Sequence, residues 1–380
     1  MKTKTFFLIL VSLLLQHSAF SQKSHCRTLS KNAIIENKIG MISKRPYDNN
    51  RPQLIFNKKT IHHQCNPNDY QTIVLENFDS TLESTIFQIW TEGTTAHQPN
   101  TDSKNLPLVY RDSQVVIKNG LAHLQVDDHL IEYTYDSTTQ TGYPAGRLET
   151  KKTDVFFNNH WEVEDMGCYK YGRFSTRLKY PKTDKVNFAF WLWGGGNEID
   201  VFEYFNRTDC QIRSSVHQWN IFAPDGITHA EFGLDYELGD LSEKFHIWEL
   251  EWTPYKIVWR LDGKTFRTFY RYYKMKITHE DSEKKVCLIG LDCNEIPEGE
   301  AVVWELEAWY SFSSRPIDII IGLGLLKPIN SELLIDWVKI EQRPNMQLAV
   351  SDLTPCVGEE VIISASNTDQ IVDWKVSDNL

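Results

Sequence analysis

From Thr72 to Leu261 the apolar positions recur every second residue in short runs divided by turn-forming residues, a period that belongs to strands. Residues 115–117 and 121–126 alternate on either side of Asn119-Gly120, the strongest short cue for a two-residue hairpin. Residues 130–135 lead to a Gly- and Pro-containing loop at 142–146 and then to Arg147-Leu148-Glu149-Thr150. Trp248, Leu250 and Trp252 alternate up to Thr253-Pro254, and Ile257, Trp259 and Leu261 alternate after it. Strong helical periodicity is absent. The pattern therefore predicts an all-β chain folded as a β-sandwich, with short N- and C-terminal appendages.

One stretch breaks the alternation. After Phe188-Ala189-Phe190-Trp191-Leu192-Trp193 and three glycines comes Asn197-Glu198-Ile199-Asp200-Val201-Phe202-Glu203, with three carboxylates inside an apolar run. Unpaired buried charge is costly, so acids in this setting call for a function. On a regular strand Glu198 and Asp200 share a face and Glu203 points the other way. A β-bulge near Val201-Phe202 returns Glu203 to the face of the other two and turns Ile199 into the core.

Three acids on one face fit glycoside hydrolysis, in which one carboxylate attacks the anomeric carbon and a second carboxyl protonates the leaving oxygen. Like-charge crowding raises the proton affinity of the last acid and keeps it protonated near neutrality. His217 and Trp219 fall on one face of the run after Cys210, and Trp193 is close to the acids; all three are candidates to contact sugar, since aromatic rings stack on apolar sugar faces. Trp191, Trp248, Trp252 and Trp259 are assigned to the core.

Glu198-Ile199-Asp200-Val201-Phe202-Glu203 resembles the bulged E-x-D-x-x-E signature of glycoside hydrolase family 16, the group of laminarinases, agarases and carrageenases. Tyr169-Lys170-Tyr171-Gly172-Arg173-Phe174, Ala189-Phe190-Trp191-Leu192, the segment from Phe245-His246 through Glu251-Trp252-Thr253-Pro254 to Asp262-Gly263, and Leu334-Ile335-Asp336-Trp337-Val338-Lys339 are similar to further family segments, in family order. Leu75-Glu76-Asn77-Phe78-Asp79 fits the first strand. The resemblance implies a jelly roll with a concave substrate cleft, Glu198 as nucleophile, Glu203 as general acid and then base, and Asp200 as the neighbour that orients the nucleophile. It implies retention of anomeric configuration, no organic cofactor, and a structural calcium with Asp336 as a ligand beside Glu76 or Asn77. The Trp-Pro pairs typical of laminarinases are replaced by Val186-Asn187 and by Gly194-Gly195-Gly196-Asn197. The substrate expectation is a β-1,3- or mixed-linkage glucan. A marine galactan (agar, porphyran or carrageenan) is the alternative, for which Arg147, Lys151, Lys152, Arg173 and Arg177 are candidate contacts. A transglycosylase and a non-catalytic carbohydrate-binding relative are the other readings.

The remaining composition narrows this picture. The 380 residues carry a formal net charge of −11, which argues against nucleic acid and anionic membrane as partners. Met1-Lys2-Thr3-Lys4 and the apolar run from Phe6 to Leu15 read as a signal peptide over 1–21, so the protein is expected to be secreted, periplasmic or at the cell surface; a monomer is expected. Residues 22–70 are read as a polar extension, 71–343 as the catalytic domain, and 344–380 as a partial immunoglobulin-like module or tail. His62, His63 and Cys65 are assigned to a solvated loop, and 280–285 and 294–300 to loop insertions. The cysteine count is seven, so at least one is unpaired; Cys287 with Cys293 and Cys26 with Cys65 are candidate pairs.

Overall fold

The structure, a computed structural model, describes residues 27–28, 56–63, 70–80, 87–89, 106–135, 138–150, 169–194, 196–204, 212–219, 229–280, 283–296, 299–306, 311–312, 316–343, 347–350 and 363–366. The expected signal peptide, Lys151, Lys152, Cys26 and Cys65 lie outside them.

Two large sheets pack face to face around one core, giving the jelly-roll sandwich. The first sheet has nine strands. At its centre Asn197–Tyr204 lies between Val186–Gly194 and Ile212–Trp219, with Asp318–Leu325 and Arg147–Thr150 beyond on one side and His229–Glu231 and Leu234–Glu237 on the other. The second has eleven strands, with Gly172–Lys179 between His246–Trp252 and Ser331–Gln342. Gln71–Glu76 pairs with the last of these as the expected first strand.

Alternation decides which side chains meet between the sheets. Along Val186–Gly194 the residues Val186, Phe188, Phe190 and Leu192 turn inward and are buried, while Asn187, Ala189, Trp191 and Trp193 turn outward. Phe202 meets Trp248 of the other sheet with ring centroids 4.4 Å apart. Each such fully buried aromatic side chain contributes on the order of 2–3 kcal/mol by leaving water. Trp248, Trp252 and Trp259 are wholly buried as expected, but Trp191 is not a core residue. It lies two positions from Trp193, and the pleat puts both on the outer face.

The Asn119-Gly120 hairpin forms between Val115–Lys118 and Leu121–Val126, with φ values of 56° and 70° at the two turn residues. The loop expectation for 280–285 fails. Tyr272–Glu280 and Glu283–Gly290 pair down to Glu280 opposite Glu283, so the charged residues cap a hairpin tip. Phe56–His63 and Gly299–Leu306 complete this four-stranded sheet, which places His62 and His63 in a strand ladder and not in a loop. Between them Cys293–Glu295 forms a short 3₁₀ turn closed by a capping box of Asp292 and Glu295, and Cys293 is disulfide-bonded. Near the C-terminus Gln347–Val350 pairs with Ile363–Ser366.

Candidate active site

The central strand carries one residue too many for its partners. Against Val186–Gly194 the register passes from Phe190 opposite Phe202 to Trp191 opposite Asp200, skipping Val201. Against Ile212–Trp219 it passes from Asp200 opposite Ser215 to Glu203 opposite Arg213, so Val201 and Phe202 together face Ser214. The consequence is a change of parity. Ile199, Val201 and Phe202 all enter the core, and Glu198, Asp200 and Glu203 share the outer face with Trp191 and Trp193. From the opposite sheet the Trp259 indole N–H donates to the Asp200 carbonyl at 2.8 Å, at the edge of the bulge. Gly196 makes the tight turn into the strand with φ of 75°, and its carbonyl accepts from the Trp219 N–H at 2.8 Å.

Asp200 sits between the two glutamates and is almost completely buried, at 1% exposure. Its carboxylate accepts from the Ser215 hydroxyl and from His217 Nε2 at 3.0 Å. Ser215 Oγ is also 3.4 Å from Glu203 Oε2, and Trp219 Nε1 donates to Glu198 Oε2 at 2.6 Å. Burial and then the Asp200 charge push Glu198 up to about 7, opposed by the His217 charge and by the Trp219 N–H. The same two causes raise Glu203 well above the ordinary carboxylate range. For His217 burial works against charge, yet the hydrogen bond to Asp200 and the surrounding carboxylates carry it up to about 9. It is therefore a cation at neutral pH, donating from Nε2 to Asp200 and from Nδ1 to His229 Nε2 at 3.0 Å. Burial and the neighbouring His217 charge lower His229 to about 4, so it is the neutral acceptor.

Residues 103–286, which include all of these groups, match the family described as Glycosyl hydrolases family 16. This chain belongs to that family. The family 16 chain is 24% identical over 167 residues to glucan endo-1,3-beta-glucosidase A1 of Niallia circulans, a match covering 40% of this chain and 22% of that protein. It is 30% identical over 112 residues to a glucan endo-1,3-beta-glucosidase of Cryptopygus antarcticus (26% and 39% covered) and 30% identical over 103 residues to a beta-1,3-glucan-binding protein of Penaeus monodon (23% and 28%). The chain spans less than half the length of these curated relatives. Among solved structures, the laminarinase catalytic domain of Thermotoga maritima matches with a TM-score of 0.50 at 17% identity, covering 73% of this chain and 100% of that one, which is a likeness of fold.

Other side chains of this family 16 site escaped the sequence reading. Ser215, Arg213 and Trp191 alternate in phase with His217 and Trp193, and that parity was the available signal. Arg213, buried opposite Glu203, pairs with Glu231 and with Asp235 at 2.8 Å. Trp259 and His229 reach the site from partners set by long-range pairing, which no local pattern discloses. Of the basic candidates, Arg147 is on the acid-bearing sheet with its guanidinium 5.4 Å from the Trp191 ring centre. Arg173 and Arg177 belong to the other sheet, where they pair with Glu251 and Asp336.

Among the described residues, two groups bring three potential ligand atoms together: Asp127, Asp128 and His129 on the surface, and Glu198, Asp200 and His217 at the site. Glu198, Asp200 and His217 bring three potential ligand atoms within 4.8 Å of one another, but a protonated His217 donates from both nitrogens and has no lone pair to offer. The expected calcium ligand Asp336 gives its carboxylate to Arg177. Of its expected neighbours, Glu76 accepts from the Phe78 N–H with one carboxylate oxygen and Asn77 donates its amide N–H to Asp79.

Proposed function

We propose that this family 16 protein is an exported endo-β-glycosidase that hydrolyses β-1,3- or mixed-linkage glucan with retention of configuration. The observation that carries the reading is the bulge, which sets Glu198 and Glu203 on one face with Asp200 between them. Two glucan endo-1,3-beta-glucosidases among the relatives support the substrate class, and the apolar run from Phe6 to Leu15 supports export.

The roles follow from who supports which charge. Trp219 gives its N–H to Glu198, a bond worth most when that group is ionised, so Glu198 is the nucleophile. Glu203, raised by burial and by Asp200, keeps the remaining proton and delivers it to the glycosidic oxygen as the C1–O bond breaks and the Glu198–C1 bond forms. Glu203, now ionised, takes a proton from water; the water oxygen attacks C1 and Glu198 leaves. Asp200, held by Ser215 and His217, fixes the geometry between the two. Trp191, Trp193 and Trp219 offer rings to the sugar on the same face.

A second reading is a glucan-binding protein without turnover, favoured by the likeness to the Penaeus monodon protein. A galactan hydrolase is a third, with Arg147 on the acid-bearing sheet as its support. Purified protein assayed for new reducing ends on laminarin, lichenan, agarose, porphyran and carrageenans separates them. Laminarin and lichenan are expected to be cleaved. Glu203→Gln should lower that rate by roughly 10²–10⁴-fold, the usual contribution of a positioned general acid. Binding to laminarin without any release of reducing ends would favour the binding protein.

A further inference from the structure

We propose that His229 is a positioning residue that holds, from behind, both of the groups that in turn hold Glu198 and Asp200. The inference rests on the hydrolase reading for its kinetic consequence but not for its geometry. His229 lies on the short strand His229–Glu231 beside Ile212–Trp219, directly opposite Trp219. Its Nε2 accepts from His217 Nδ1 at 3.0 Å, and its ring lies flat on the Trp219 indole, centroids 3.6 Å apart and planes 5° from parallel. His217 passes the first contact on to Asp200 at 3.0 Å, and Trp219 passes the second to Glu198 at 2.6 Å. One imidazole thus touches both arms.

Two proton arrangements of the rings satisfy both contacts. A doubly protonated His217 donates to Asp200 and to a bare His229 Nε2, while a neutral His217 protonated on Nε2 donates to Asp200 and accepts from His229 Nε2–H; the raised proton affinity of His217 and the lowered one of His229 select the first. The surroundings of His229 favour that state: burial disfavours its charged form, the His217 cation repels a second positive charge, and Glu231 on the same strand pulls the other way. Trp219 is 37% exposed, the most open of the groups in contact with the acids, so a flat ring beneath it is what keeps the indole N–H aimed at Glu198. Local spacing does not disclose this contact, because His229 meets Trp219 through strand pairing.

Two variants of the full chain separate the arms. His229→Phe keeps a flat ring on Trp219 and removes the acceptor; His229→Gln keeps an acceptor and removes the ring. His229→Phe is expected to lower kcat on laminarin roughly 10- to 100-fold, since small misplacements of a catalytic group cost that much. Its KM should stay within about twofold, because the loss falls on chemistry and not on ground-state binding. In ¹⁵N-histidine-labelled protein the His217 ring should titrate at lower pH in His229→Phe than in wild type, because the charged form loses a hydrogen bond. His229→Gln should restore that titration while raising KM. An unchanged His217 titration in His229→Phe overturns the proposal, even if kcat falls, because a merely structural loss would lower activity without touching that proton. If wild-type protein cleaves none of the polysaccharides, the hydrolase reading fails and the titration alone decides the positioning role.

Discussion

Two carboxyls whose proton affinities both rise cannot both be ionised at neutral pH without cost, and that cost is readable in stability. The folded-state value of Glu198 is raised from 4.5 to about 7. A raised acid contributes stability that is fully present below its unfolded value and is lost as pH climbs through the folded one. Wild-type protein should therefore lose melting temperature relative to Glu198→Gln between about pH 4.5 and 7, with the variant the more stable above that interval. Parallel melting curves across the interval would contradict the assignment. Glu198, Asp200 and His217 were legible at this scale because acids and a histidine stand out in apolar runs. Trp191 was misjudged for a physical reason. In Phe188-Ala189-Phe190-Trp191-Leu192-Trp193 both faces are apolar, so hydrophobicity cannot tell inside from outside; only parity with Trp193 does.

At the scale of the strand, the extra residue in Asn197–Tyr204 is what makes a site out of a motif. The bulge was legible, since three acids in an x-D-x-x pattern make sense on one face only if parity is broken once. What stabilises it was not, because Trp259 comes from a strand of the other sheet. Its indole N–H crosses the core to the bulge backbone, at 2.8 Å from the Asp200 carbonyl. Trp259→Phe keeps the ring volume close and deletes that donor. It should cost about 1–3 kcal/mol, the penalty of a buried acceptor left without its partner, and lower turnover as the acids shift. Denaturant unfolding together with kcat checks this. Loss of stability with full activity would mean that the bulge holds its shape without the tryptophan.

For the whole molecule, the all-β sandwich followed from alternation, the Asn119-Gly120 turn and the Thr253-Pro254 turn, whereas the order of strands is set by long-range pairing. The four-stranded sheet did not. Phe56–His63 meets Gly299–Leu306 from the far end of the chain, and the charged tip at 280–285 reads as loop when only local composition is weighed. The calcium expectation meets a competing ion pair at this scale, because Asp336 pairs with Arg177 across neighbouring strands. Chelator should leave the melting temperature unmoved; a drop of several degrees would restore calcium. The division of labour between Glu198 and Glu203 is tested most directly by trapping the enzyme with a 2-deoxy-2-fluoro glucoside bearing a good leaving group and sequencing the labelled peptide by mass spectrometry. A covalent sugar on Glu198 is the predicted result. Label on Glu203, or none on an enzyme that turns over laminarin, would contradict it.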